Sequence, residues 1–276
     1  MFLLQKARKS GIIKLTQIKG VAQSVKTIRS YRRVAGSIKT YLGNSPKQTG
    51  RPQSDNRKLL NGVLWILHTG APWRDLPEYY GPWQTVYKRF AQWQKNDTFK
   101  QLSAKNRICR ICVSTELTSK HIVPVPVQKR APGHDDHQCI GVSRGGRSTK
   151  IHAVVDGLGY PLVLELTGGQ VHDGVMLQKC LDQLQISGST VLADKAYGSL
   201  KNREYIANHG AEYCIPPKSN TVEPLHCDYE HYTERHLVET FFMRIKDCRR
   251  IAMRFDKLAC RFLAFLHLTA ALLWLA

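Results

Sequence analysis

The chain has 276 residues, of which 41 are Lys or Arg and 21 are Asp or Glu, a formal net charge of +20. An apolar fraction of 42% excludes wholesale disorder and suffices for a core in one domain or two. A pI near 9.8 excludes acidic binding modules and points to a polyanionic partner.

The charge is uneven. Residues 1–54 carry 12 basic side chains and no acid, the first being Asp55. The remaining chain keeps a surplus of only +8, from 29 basic and 21 acidic groups. Met1–Leu4 is apolar, but Lys6, Arg8 and Lys9 follow at once, so no signal-peptide apolar region forms. An acid-free start also has the composition of an organellar transit peptide, though a cytoplasmic protein is the expectation. Eight cysteines in a chain of this length are too sparse for a disulfide scaffold.

Asn44–Ser54 reads as a linker from its Pro, Gly, Ser and Asn content. Leu59, Val63 and Ile66 then recur at helical spacing, with Gly70 as the stop. Ala71–Pro77 is a turn, and Pro82 opens a second helix through Trp83, Tyr87 and Phe90 that carries Lys88 and Arg89. Two helices about a tight turn fit a helix-turn-helix, or equally a small packing unit.

From about residue 108 the texture becomes mixed α/β. Ile151–Val155 and Leu162–Leu166 are strands joined by Asp156-Gly-Leu-Gly159. Asp173 caps a helix over 174–184, and Thr190–Ala193 is a further short strand. Leu200–Asn208 is a helix, Tyr213–Ile215 a strand, and Thr233–Arg250 a long helix. The apolar run 258–276 contains Arg261 and His267 and is too short after Arg261 to span a bilayer, so it reads as a core helix.

Two segments carry chemistry. On an ideal helix, Leu237, Phe241, Ile245, Cys248 and Ala252 share one side, while Tyr232, Arg235, Glu239 and Lys246 fall within an arc of roughly 60° opposite. That arc is either a site or a solvated charged face. Asp194 follows a short strand, at the end where open α/β sheets place active sites, and could equally be a turn cap. Two such carboxylates suit hard divalent cations.

The spacing Tyr232-x2-Arg235-x3-Glu239-x6-Lys246 resembles the Y-R-E-K signature of insertion-sequence transposases with an acidic-triad (DDE) active site. Asp194 lies in a segment like the one bearing the second triad Asp. Leu59–Trp93 resembles the helical N-terminal domain of one bacterial subgroup, and Ser143–Asp173 and Glu234–Leu275 resemble its catalytic domain. The resemblance implies an α/β, ribonuclease-H-like domain over 103–276, a mixed sheet flanked by helices. It implies a small all-α, helix-turn-helix-like DNA-binding domain over 46–102, after a basic extension over 1–45. It implies binding of terminal inverted repeats and target double-stranded DNA, self-association on that DNA, and cutting and joining with Mg²⁺ or Mn²⁺ in the bacterial cytoplasm, at the nucleoid. Asp194 and Glu239 would be catalytic metal ligands. Tyr232, Arg235, Lys246, Lys88 and Arg89 would contact DNA.

The pattern departs at the first triad Asp. Counting back about 25 residues from Ser143 gives Thr118, in Glu116-Leu-Thr-Ser-Lys-His-Ile122. A second alignment lays Ile111–Thr115 on the motif and puts Val113 at the Asp position. Neither is a carboxylate; Glu116 is a near neighbour, and Asp135 and Asp136 lie in a loop-like stretch. A chain with two of three carboxylates is expected to be catalytically weak or dead. The alternative is an inactive, transposase-derived protein that occupies element ends. The unmatched stretches 1–44 and 103–136 suggest a frame-shifted or degenerate copy. Cys109-x2-Cys112 with His134 and His137 vaguely suggests zinc, at an unusual spacing. His172-Asp173 fits a cap, and Ser143-Arg-Gly-Gly-Arg147 fits a phosphate-approaching loop.

Overall fold

The structure is a computed structural model that describes residues 55–103, 111–119, 138–217 and 227–275, with backbone alone for 111–119, Glu230 and His231. The basic extension over 1–45 lies outside the described residues, as do Cys109, His134 and His137 of the zinc reading and the loop carboxylates Asp135 and Asp136.

Helix α1 (Asn56–Thr69) starts at Asp55, whose carboxylate accepts the Arg57 N–H at 2.9 Å. It stops at Gly70, where φ is +67° and the N–H returns to the Ile66 carbonyl. The link to α2 (Trp83–Lys95) is not the tight turn expected. It spans residues 70–82 and holds two 3₁₀ turns, Trp73–Asp75 and Glu78–Tyr80. A helix-turn-helix uses three or four residues. Pro72, Pro77 and Pro82 each begin a new element here, because proline fixes φ and removes a donor. Trp73 packs against Tyr87, Phe90 and Phe265 at centroid distances of 5.2, 5.6 and 6.1 Å. A short α3 (Thr98–Ser103) follows.

Strand β1 (Ile111–Ser119) is central in a mixed sheet. β2 (Gly141–Ser143) and β3 (Gly146–Asp156) form a hairpin with Arg144 and Arg147 exposed near its tip. β3 pairs antiparallel with β1 on one side and with β4 (Pro161–Gly168) on the other. The β3–β4 turn is held as expected: Asp156 Oδ1 accepts the N–H groups of Leu158 and Tyr160, each at 2.9 Å. The helix expected over 174–184 is shorter. A 3₁₀ turn (Asp173–Val175) is capped by His172 Nδ1, which accepts the Gly174 N–H, and α4 (Met176–Leu181) follows. Asp173 instead pairs with Lys150 at 2.8 Å. β5 (Thr190–Leu192) runs parallel to β1, α5 (Leu200–Asn208) crosses over, and β6 (Glu212–Cys214) runs parallel to β5. The order β4-β3-β1-β5-β6 is the expected ribonuclease-H-like α/β arrangement.

The long helix expected over 233–250 is broken. α6 (Tyr229–Tyr232) passes through a 3₁₀ turn (Thr233–Arg235) into α7 (His236–Lys246), and α8 (Arg249–Ala252) restarts after Cys248. α7 still buries Val238, Phe241, Phe242 and Ile245. α9 (Ala259–Leu275) is the expected core helix. Among the described residues no helix is long and apolar enough to cross a membrane.

The sheet separates two cores. One face buries Leu192, Ile151, Ala153 and Leu164 under α7 and α9, and this core continues into Leu60, Phe90 and Phe99 of the helical segment. The other face buries Val154, Val191 and Ala193 with Leu177 and Leu181 of α4 and Ile206 of α5. Two buried guanidiniums tie the first side together. Arg250 forks onto Asp256 at 2.9 and 3.0 Å and donates to the Ala71 carbonyl at 3.0 Å. Arg254, 1% exposed, donates to the carbonyls of Gln138, Cys139, Asp256 and Lys257 and to the Thr149 hydroxyl.

Replacing Arg254 with Met orphans those carbonyls, and urea unfolding should show a loss of about 2–4 kcal/mol. A loss below about 0.5 kcal/mol would show that the bonds are replaceable. Burial also pushes His152 and His267 down to about 4 from 6.5. Protonation therefore favours the unfolded chain: the stability that neutral histidine contributes is complete above about pH 6.5 and is lost as pH falls toward 4. Each should cost about 2 kcal/mol at pH 5 relative to pH 7. The His267→Gln variant should show a shallower acid slope in urea midpoints than the parent.

Candidate active site

Asp194 stands two residues beyond the end of β5. Leu192 faces the α7 side of the sheet and Ala193 the other, so strand alternation returns Asp194 to the α7 side. Its Oδ1 accepts the Lys195 N–H at 2.6 Å and caps the 3₁₀ turn Lys195–Tyr197. The cap reading and the site reading therefore describe the same half-buried carboxylate.

Arg235 precedes α7 and Glu239 sits in its first turn, where the helix dipole favours a carboxylate. Arg235 Nη2 lies 2.5 Å from Glu239 Oε1, and its guanidinium stands 5.7 Å from the centre of the Tyr232 ring. Burial raises the Tyr232 phenol. Arg235 opposes that shift, while Asp194 adds to it, followed by Cys227 and Cys214. Tyr232 thus lies within electrostatic reach of Asp194 and beside the Arg235–Glu239 pair. The break at Thr233–Arg235 preserves this grouping, because the cluster needs only local i,i+3 and i,i+4 neighbours.

The other expected site residues lie apart. Lys246 is exposed at the far end of α7, seven residues or about 10 Å along the axis from Glu239. Exposed Lys88 and half-buried Arg89 are on α2. For the first triad position, the register separates the candidates. Cys112 pairs with Leu192, so position 114 comes level with Asp194, and Ser114 is also the register partner of Ala153. Thr118 pairs with Lys150 beyond an irregularity between Thr115 and Thr118. It lies four residues, or about 13 Å, past the Asp194 level. Val113 is one residue short of that level, opposite Val154.

Buried Asn202 holds the turn after Asp194, and buried Arg203 holds the residue after β6. Asn202 Nδ2 donates to the Tyr197 carbonyl at 3.0 Å and to the Gly174 carbonyl at 2.9 Å. Arg203 Nη2 donates to the Ile215 carbonyl at 2.8 Å, its guanidinium 5.1 Å from the centre of the Tyr213 ring. Sequence reading missed both. The available signal was Asn202, four residues before buried Ile206 and so on the same helical face.

Among the described residues no three His, Cys, Asp or Glu side chains group to hold a metal. Asp194 and Glu239 alone carry too little negative charge to offset two divalent cations, and Glu239 already faces Arg235. Among the described residues, the side chains do not complete a two-metal ligand set.

Three family models match the chain. One, assigned to transposases of the IS4/5 family, covers residues 36–103. Two models of a transposase DDE domain cover 114–225 and 191–276. A Brucella ovis protein assigned as transposase for insertion sequence element IS6501 is 37% identical over 131 residues, 46% of this chain and 98% of that protein. An uncharacterized Sinorhizobium fredii protein is 34% identical over 56 residues, 20% of this chain and 45% of its own length. An uncharacterized protein of insertion element IS402 from Burkholderia cepacia is 38% identical over 58 residues, 20% of this chain and 40% of its own length. A solved piggyBac transposase synaptic complex with hairpin DNA matches with a TM-score of 0.40 and 12% identity over 73% of this chain and 52% of that one. DDE transposase domains generally use divalent metal ions. With its mixed sheet, its Asp194 and Glu239 on one side of that sheet, and these matches, the chain belongs to the insertion-sequence transposases of the DDE family.

Proposed function

We propose that the chain binds the terminal inverted repeats of its element and target double-stranded DNA, self-associating there, at the nucleoid of a bacterial cytoplasm. We propose further that its strand cleavage is weak for want of one carboxylate. The carrying observation is that Asp194 and the Tyr232–Arg235–Glu239 group, from separate blocks of sequence, share one electrostatic neighbourhood. A merely solvated charged face would have no reason to meet the end of β5.

The roles follow from chemistry. Lys246 and Lys88 are exposed and suit phosphate contacts, and Arg89 lies beside Lys88. Arg235 is bound to Glu239, so a phosphate reaching it would release the carboxylate. Tyr232 would pack against the DNA or order Arg235. Asp194 and Glu239 are the residues that would hold Mg²⁺ or Mn²⁺, and they need a third carboxylate to do so. The register supports position 114 for that acid, level with Asp194 and beside Ala153, rather than Thr118.

The Ser114→Asp variant should therefore raise Mg²⁺-dependent cleavage of end-containing DNA by about 10²-fold or more. Thr118→Asp should leave it near the parent level. Revival by Thr118→Asp alone, or normal cleavage by the parent, would overturn the assignment. Binding of the same DNA in a metal chelator, with no cleavage by any variant, would favour the inactive end-binding reading.

Lys246→Ala should weaken DNA binding uniformly across sequences and lower the slope of log Kd against log salt by about 1. A salt titration by fluorescence anisotropy measures this. An unchanged slope would remove Lys246 from the interface.

A further inference from the structure

We propose that Cys214 and Cys227 form a reversible disulfide that pins the Tyr232–Glu239 segment to the sheet beside Asp194. Both residues are buried, and their sulfurs lie 2.8 Å apart. A disulfide needs about 2.05 Å, so closure moves the sulfurs together by roughly 0.8 Å.

The position gives the bond its consequence. Cys214 ends β6 and is the register partner of Leu192, two residues before Asp194. Cys227 directly precedes Asp228. The Asp228 carbonyl accepts both the Cys214 thiol at 3.1 Å and the Tyr232 N–H at 2.9 Å. The two cysteines also add, after burial and Asp194, to the rise of the Tyr232 phenol. A covalent link at this point would fix the entry to the Tyr232–Arg235–Glu239 segment relative to the strand that leads to Asp194.

The step balances with a low-molecular-weight disulfide such as oxidised glutathione as the oxidant. One cysteine, as thiolate, attacks a glutathione sulfur, forms a mixed disulfide and expels one glutathione thiolate. The second cysteine attacks the protein sulfur of that mixed disulfide and expels the other. Two protein S–H bonds are lost, one S–S bond forms, and two glutathione thiols take up the two electrons and two protons. Burial, and then the neighbouring Cys227, push Cys214 up to about 12. The thiol form therefore prevails near neutral pH, so closure is slow at rest and quickens with alkali or oxidative load. A reducing compartment keeps the pair open, which suits a transient, sensing bond rather than a structural one.

The proposal does not depend on the DNA chemistry, and its test needs no DNA. The reduced full-length protein is equilibrated with oxidised glutathione, quenched in acid, alkylated, and digested without reductant for mass spectrometry. The expected result is a Cys214–Cys227 cross-linked peptide pair. It should be accompanied by a Tm rise of roughly 6–10 °C that reductant reverses. Amide exchange over residues 228–239 should slow on oxidation. Cys214→Ser and Cys227→Ser should each lose the cross-link and the Tm rise. The proposal is overturned if both cysteines remain alkylatable after exposed Cys260 has become glutathionylated. It is also overturned if the pair resists oxidation because it holds stoichiometric zinc, or if the cross-link forms with no change in Tm or exchange.

Discussion

The fold depends on a buried charge that has no carboxylate of its own. Arg254 lies in the interior and directs its five donors at four backbone carbonyls and one hydroxyl. Those acceptors come from three places: the 138–139 segment, Thr149 on β3, and the loop at 256–257. Each would otherwise face an apolar interior without a partner, at a cost of about 1–3 kcal/mol. Arg250 does the complementary work with a bidentate carboxylate partner, and reaches the carbonyl of Ala71 in the link between α1 and α2. The aromatic side chains around it, Trp73, Phe255 and Phe265, add cation–π contact at 5.6, 6.0 and 5.1 Å. The two arginines lie after α7, Arg250 in α8 and Arg254 just beyond it, so the helix that carries Glu239 is anchored past its far end to both the helical segment and the sheet.

That anchoring explains how a helix of broken geometry can still serve a site. The run 229–252 changes winding at Thr233–Arg235 and stops at Lys246. An unsupported helix with such breaks would wander. Here Val238, Phe241, Phe242 and Ile245 are each 1% exposed or less, and they hold α7 against the sheet face that also receives Asp194. The near end is held by the hydrogen bonds of Asp228 and by the Cys214–Cys227 contact. Between the two anchors, Arg235 neutralises Glu239 while no described group neutralises Asp194 other than its own turn's N–H. The electrostatics are lopsided: the carboxylate on the helix is paired with a cation, and the half-buried one on the sheet accepts a backbone N–H.

Much of this was legible in the sequence. The Gly70 stop, the Asp156 turn, α5 and the apolar C-terminal helix follow from local rules of capping and periodicity. Asp194 and the Tyr232–Glu239 group stand out by residue type and spacing, and the fold brings them to one side of the sheet. The long link after α1 was not legible, because three prolines and a Trp plug make a path longer than the expected tight turn, packed against Phe265 far along the chain. The helix expected to start at Gly174 was misread for a related reason. Asp173 is a good cap by type, but Lys150 on β3 claims its carboxylate, leaving His172 to cap. Tertiary partners override local preference at both places, and a linear sequence does not display them. The arginines at 250 and 254 were invisible as core residues, since arginine is almost never fully buried unless its donors are met.

The position on β1 that a third carboxylate would take turns on the same distinction between local and distant information. Counting back from Ser143 crosses residues 120–137, and any insertion or deletion there displaces the result by as many residues. The pairing of β1 with β5 needs no such count. Cys112 beside Leu192 fixes the level of every later residue on β1 against Asp194 by the constant rise of a strand. The antiparallel pairing with β3 is an independent check, and it sets Ser114 beside Ala153, a residue of the core that α7 covers. A carboxylate four residues further on would have to act across about 13 Å, several times the separation of two bridged metal ions. The pairing register, rather than motif distance, is therefore the sounder guide to which position on β1 comes level with Asp194.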